Sequence, residues 1–369
     1  EEGQLSLMKK YWVGLSSLEE LGSNFILKLY EHFFDIEKAF NAGRDELLQI
    51  EGLSLKKIEN FLKLRDKIKL DAALSRVEEN NIHVVTFEDE EYPNLLKEIS
   101  NPPAVLYVKG NLKRCNLNKT VAVVGSRRAS TNGKMALEKI IKDLANTDLC
   151  IVSGLAAGID STAHYCALQN NLKTIGVIAS GFDFTYPESN RELYKMISNE
   201  GGAILSEYYP TFEPLKFRFP ERNRIVTGIS YGTLVVEAAL KSGALISANL
   251  TLEQGRELMC VPGLITNPNT EGIYKLLKNG ATLITEGADI LNALGWEVKQ
   301  PEQQKLDLIN LENEESMILS AIEIEPKSFD CIQNETKLST DDLLTNLTTL
   351  ELKPNKAGYF NSPVPKIKC

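Results

Sequence analysis

The 369-residue chain lacks the usual signatures of a membrane, zinc or nucleotide-cofactor protein. No run of eighteen apolar residues occurs, although 43% of the residues are apolar, so no helix is expected to cross a bilayer. The N-terminal stretch (Glu1, Glu2, then Lys9, Lys10) has no apolar h-region, and no secretory signal is expected. Six cysteines, at positions 115, 150, 166, 260, 331 and 369, are scattered without a CxxC, and there are only three histidines. That disfavours a zinc centre and suits a reducing cytoplasm. No GxGxxG and no GKS or GKT is found, so a dinucleotide fingerprint and a Walker loop are both missing.

What is present is charge in unequal portions. The net charge is -9, but residues 1–100 carry 13 bases and 20 acids, residues 101–300 carry 21 and 18, and residues 301–369 carry 7 and 12. The middle is mildly basic between acidic flanks, so any polyanion must be held by a local patch. The length implies two or three domains.

Residues 1–75 read as short helices with apolar spacing near 3.6 (Leu15, Leu18, Leu21; Phe25, Leu29, Phe33). Within them "LLQIEGLSLKKIENFL" resembles a helix-hairpin-helix turning at Gly52, either a DNA-phosphate contact or a plain helical bundle. Residues 76–104 form a connector with an "IHVVTF" strand, and Pro102-Pro103 presets an extended approach to "AVLYV". From 121 onward, buried strands ("VAVVG", "CIVSG", "KTIGVIA", "AILSE", "TLVVEA", "ELMCVPG") alternate with helices. The alternation predicts α/β architecture with a doubly wound, mostly parallel sheet over 76–295. Residues 296–313 are polar and Gln/Glu-rich, as in a linker. Residues 314–369 regain helical spacing and close on "LELKPNKAGYFNS", suggesting a small winged-helix-like module with a strand-turn-strand.

Three stretches carry chemistry. In "VVGSRRAS" a strand meets its helix, at the sheet edge where open α/β folds bind ligands. Gly125 and Ser126 would let backbone amides approach an anion, and Arg127 and Arg128 add charge; the alternative is a structural turn with solvated arginines. In "SGLAAGIDSTAH", Asp160 can cap a helix, and His164 lies four residues on; a structural hydrogen bond is favoured over a catalytic or metal pair. In "FRFPERNRIVTG" and the lysine before it, Lys216, Arg218, Arg222 and Arg224 crowd around Phe217 and Phe219. Pro220 suggests a turn there, with Asn223 bracing it. The phenylalanines could be core residues, but rings interleaved with cations also suit a single-strand platform, where each stacked base is worth about 1–3 kcal/mol. Glu237, ending a buried strand, is either an acid–base group or a brace.

The motifs "VAVVGSRRAS", "IVSGLAAGIDSTAH", "GFDFTYPESNRELY", "GGAILSEY", "FRFPERNRIVTGIS", "LVVEAALKSGALISAN", "GRELMCVPG" and "GATLI", in this order, resemble the DprA/Smf (DNA-processing protein A) family over about residues 105–292. The resemblance implies an extended Rossmann-like fold that binds single-stranded DNA, shields it and helps load RecA recombinase in natural transformation. It also implies a homodimer in the cytoplasm, with no membrane, no cofactor and no reaction catalysed, flanked by an N-terminal SAM or helix-hairpin-helix domain and a C-terminal winged helix. The family's DNA pocket falls on Arg127, Lys216 and Phe219, and its RNR arginines on Arg222 and Arg224. The candidate DNA-binding set is therefore Gly125, Ser126, Arg127, Arg128, Lys216, Phe219, Arg222, Asn223 and Arg224. "KAGYFNS" departs from the tighter Gly-Gly wing common in the family. A different class, a LOG-type nucleotide phosphoribohydrolase, would use "PGGxGTxxE"; "ISYGTLVVE" keeps Gly232, Thr233 and Glu237 but lacks the Pro-Gly-Gly. A scaffold that binds only protein partners is disfavoured by the intact run of bases.

Overall fold

A computed structural model describes residues 2–145 and 147–297, together with 314, 317–318 and 328–352. Two compact units are found, Glu1–Val298 and Lys299–Cys369.

The first unit is built on a nine-stranded sheet in the order β1-β2-β6-β5-β4-β3-β7-β8-β9. Its strands are β1 (His83–Thr86), β2 (Val105–Gly110), β3 (Thr120–Val124), β4 (Cys150–Ser153), β5 (Lys173–Val177), β6 (Gly202–Ser206), β7 (Gly232–Val235), β8 (Glu257–Cys260) and β9 (Thr282–Leu283). From β6 to β9 every neighbouring pair is parallel, whereas β1 and β2 join antiparallel at one edge. The parallel strands are short runs buried on both faces, as "TVAVV" and "CIVS" are at every residue. Alternate side chains feed two cores. Val121, Val123 and Ile151 meet the helices Thr131–Asp143 and Ile159–Gln169 on one face. Ala122, Val124 and Val152 meet Arg218–Gly228 and Gly243–Glu253 on the other.

The chain thus winds outward from β3 through β4, β5 and β6 and then returns to β7 on β3's other side. That reversal makes the carboxyl ends of β3, β4 and β7 the topological switch point, where open α/β sheets leave a crevice. The fold is α/β and Rossmann-like, as expected.

The N-terminal helices cover the antiparallel edge. Trp12, Phe25, Phe40 and Phe61 share one core with Val84, Val105, Tyr107 and Tyr209. Ser16 Oγ meets the Tyr107 hydroxyl at 2.5 Å, and the Tyr209 hydroxyl donates to the Ala73 carbonyl at 3.1 Å. The Gly52 turn joins Arg44–Leu47 to Leu55–Arg65 with a positive φ of 74°. No helix among the described residues is long and apolar enough to cross a membrane.

In the second unit, Phe329–Thr336 and Thr340–Leu352 are helical, and Ile318, Ile332 and Leu343 form a small core. The strand-turn-strand expected over "LELKPNKAGYFNS" is helical at its first three residues, 350–352, and the rest of it, like most of the linker expected at 296–313, lies outside the described residues.

Candidate nucleic-acid interface

The turn after β3, residues 125–130, is fixed from three sides. Ser130 caps Thr131–Asp143, its Oγ accepting the Gly133 amide at 3.1 Å. The buried Glu237, just past β7, accepts the Ser130 amide at 3.0 Å and the Ser130 hydroxyl at 2.5 Å. A methyl group on Gly133 would stand 2.7 Å from that carboxyl. Glu237 therefore supplies the negative charge that this helix N-terminus favours. The anion at the Ser130 amide belongs to the chain. Glu237 is a brace, and both its oxygens are engaged.

Gly158 pins the same turn from the β4 side. It has a φ of 85°, and a Cβ there would lie 2.3 Å from the Ser126 carbonyl oxygen. That approach and that conformation both favour glycine. Gly125 serves packing, since its missing Cβ leaves room for Ile159 at 2.6 Å. Ser126 turns inward, its carbonyl accepting the Ile159 amide and its hydroxyl the Arg128 amide, each at 3.1 Å. Arg127 and Arg128 project outward and are exposed.

Contrary to the turn expected at Pro220, residues 218–228 are helical. Pro220 sits in the first turn, where its missing N–H costs nothing. Helical spacing then separates the arginines. Arg222 is buried, its Nη1 donating to the carbonyls of Gly154, at 2.6 Å, and of Val177. Asn223 Oδ1 accepts from Arg222 Nε at 3.3 Å. Burial pushes the Arg222 guanidinium below its ordinary range, and the neighbouring Asp160 carboxyl opposes that. Arg224 is held by both Glu207 oxygens, at 2.7 and 2.6 Å, and by the Asn101 carbonyl at 2.8 Å. Arg218 pairs with Glu19 and lies over the rings of Tyr208 and Phe212. All three donate within the protein, which holds Arg222 and Arg224 against the fold, and Asn223 braces Arg222 rather than a turn.

Phe219 is the meeting point. The Arg127 guanidinium lies over its ring at 5.2 Å, and the half-exposed Tyr186 ring packs edge-on at 5.3 Å. Lys216, one turn before Phe219, is exposed. Arg127, Arg128 and Lys216 form no ion pair among the described residues. Arg127, Phe219 and Tyr186 thus meet at the mouth of the switch-point crevice, two rings in edge contact with a guanidinium over one of them, while Arg128 and Lys216 are the exposed cations next to them in sequence. Tyr186 was missed as a site residue. It stands in "FDFTYPESN", an irregular segment without periodicity, and only its ring contact with Phe219 reveals it.

Asp160 and His164 do not bond each other. Asp160 accepts the Ala156 amide at 3.4 Å, and burial raises its pKa while Arg222 opposes the rise. His164 Nδ1 meets Thr174 Oγ1 at 2.7 Å. Each has its own structural hydrogen bond, so the one expected of the pair is not made between them.

A family model for DNA recombination-mediator protein A matches residues 83–295. DNA processing protein DprA of Streptococcus pneumoniae is 47% identical over 203 residues, covering 55% of this chain and 71% of that protein. Protein Smf of Synechocystis is 34% identical over 377 residues, covering 93% of this chain and 94% of its own. Among solved structures, DNA processing protein A from Streptococcus pneumoniae aligns with a TM-score of 0.68 and 39% identity, over 78% of this chain and 97% of that one. DNA processing protein A from Helicobacter pylori, described for its single-stranded DNA binding mode, aligns at 0.51 and 32% identity, over 57% and 95%. The chain belongs to the DprA/Smf family of DNA recombination-mediator proteins.

Proposed function

We propose that the mouth binds single-stranded DNA and that the chain shields such DNA and helps load RecA recombinase onto it in natural transformation. The observation that carries the binding reading is Arg127 over the Phe219 ring beside the half-exposed Tyr186, with Arg127 and Lys216 exposed and in no ion pair among the described residues. Rings offer π-faces to unpaired bases while cations track phosphates; a duplex hides its base faces, so single strands should win. The Helicobacter pylori relative supports the choice of ligand. The proposed DNA-contact set is Arg127, Arg128, Lys216, Phe219 and Tyr186, with Gly125, Ser126, Arg222, Asn223 and Arg224 holding it in place. Action as a homodimer in the cytoplasm, with winged-helix and helix-hairpin-helix modules at the ends, completes the proposal.

Fluorescence anisotropy with labelled oligo-dT tests it. Affinity should fall with salt, with a log-log slope of about -0.7 per neutralised phosphate, and Arg127→Ala and Lys216→Ala should each weaken binding and flatten that slope. Wild-type affinity in both variants would show that the mouth is not the site. The phosphoribohydrolase reading has less support, because Glu237 is tied to Ser130 rather than open to a substrate. Release of free base from nucleoside monophosphates would revive it.

A further inference from the structure

A second cavity of about 400 Å³ lies between the 218–228 helix and the N-terminal layer around residues 16–26. The helix is a partition. Phe219 and Arg222 serve the mouth on one face, while Arg218, Glu221 and Arg224, spaced by three, line the cavity on the other.

The chemistry of the lining narrows its occupant. Arg218 is already paired with Glu19, and Arg224 with Glu207, and the two remaining lining charges, Lys57 and Glu221, are opposite in sign, so the lining as a whole favours no net-charged guest. Phe217 and Glu221 stay open beside the exposed Lys57. The Phe217 ring is 55% exposed, and the Glu221 carboxylate receives only the Tyr208 hydroxyl, at 3.4 Å, among the described residues. A flat, neutral ring carrying adjacent N–H donors satisfies both, stacking on Phe217 and donating to Glu221. Guanine has such a pair on its Watson–Crick edge. Thymine sets its single N–H between two carbonyl oxygens, which a carboxylate repels. Phe217 is also the neighbour of Lys216, so a strand with a phosphate on Lys216 brings its next bases to this ring.

We propose that this cavity is a base-selective subsite, taking an unpaired guanine from the strand held at the mouth. The inference rests on the single-stranded DNA reading and adds a preference that the mouth alone does not supply.

The test compares anisotropy titrations of a dT dodecamer with the same dodecamer carrying one internal dG. The single dG should tighten wild-type binding about tenfold, within the range of a good bidentate base contact. Glu221→Gln and Phe217→Ala should each abolish that gain; both side chains are exposed, and thermal melts matching wild type would confirm folding. Equal binding of the two probes by wild type, or a gain that survives in both variants, overturns the subsite while the mouth stands. If wild type binds neither probe, the single-strand reading itself fails and the subsite falls with it.

Discussion

His164 shows how a single side chain sets the conditions under which the site exists. It is fully buried behind the mouth, with Nδ1 on Thr174 and no partner for Nε2 among the described residues. Burial, and then the Arg222 charge, push its pKa from 6.5 down to about 3. The folded protein therefore keeps this ring neutral while the unfolded chain protonates it below about 6.5. Stability from this source is present above pH 6.5 and drains away as pH falls toward 3. Between pH 7 and pH 5 that amounts to about 2 kcal/mol. Urea unfolding of wild type and His164→Gln at the two pH values should show the wild type losing that much more than the variant. Equal losses would mean that the imidazole is free to take a proton in the fold.

At the scale of elements, the 218–228 helix matters most. Arg222 anchors it to the carboxyl ends of β4 and β5 through the Gly154 and Val177 carbonyls. Arg222→Ala would leave those oxygens unpaired and Asp160 without its nearby positive charge, costing about 3 kcal/mol or more. Arg127→Ala, on an exposed turn, should change stability by no more than about 0.5 kcal/mol while weakening DNA. Denaturant midpoints beside binding curves separate the two roles; similar stability losses in both would break the division between brace and ligand. This helix was also the hardest element to read. Its buried face carries Arg218 and Arg222 before it reaches Ile225 and Val226, with an exposed Pro220-Glu221 step between, so no clean apolar stripe announces it. The parallel strands were legible because each is a short apolar run buried on both faces. The Arg127 and Lys216 loops followed from their place at strand ends and before a motif. The antiparallel pairing of β1 and β2 was not legible, since strand partners are chosen by packing far along the chain. Nor was the role of Glu237: an acid after a strand can face a substrate or a helix end, and only the fold decides.

For the whole molecule, the N-terminal helices are a structural wall of the first unit. They bury Val84, Val105 and Tyr107, and they supply Glu19 to Arg218. A chain beginning at residue 82 should expose that apolar edge, bind a hydrophobic dye and elute as aggregate, whereas the full chain should not. A well-behaved truncated protein with an unchanged melting temperature would mean that the helices merely rest on the sheet. The acidic balance of residues 1–100 and 301–369 sets off a mildly basic middle, the region whose charge suits a polyanion.

One detail of the sheet reaches beyond stability. With the Glu237 carboxylate docked on Ser130, the berth where relatives of this architecture seat a pyrophosphate is already taken. The phosphates of a free nucleotide would meet a like charge there, so this crevice is ill suited to the mononucleotides that fill it in other open α/β sheets.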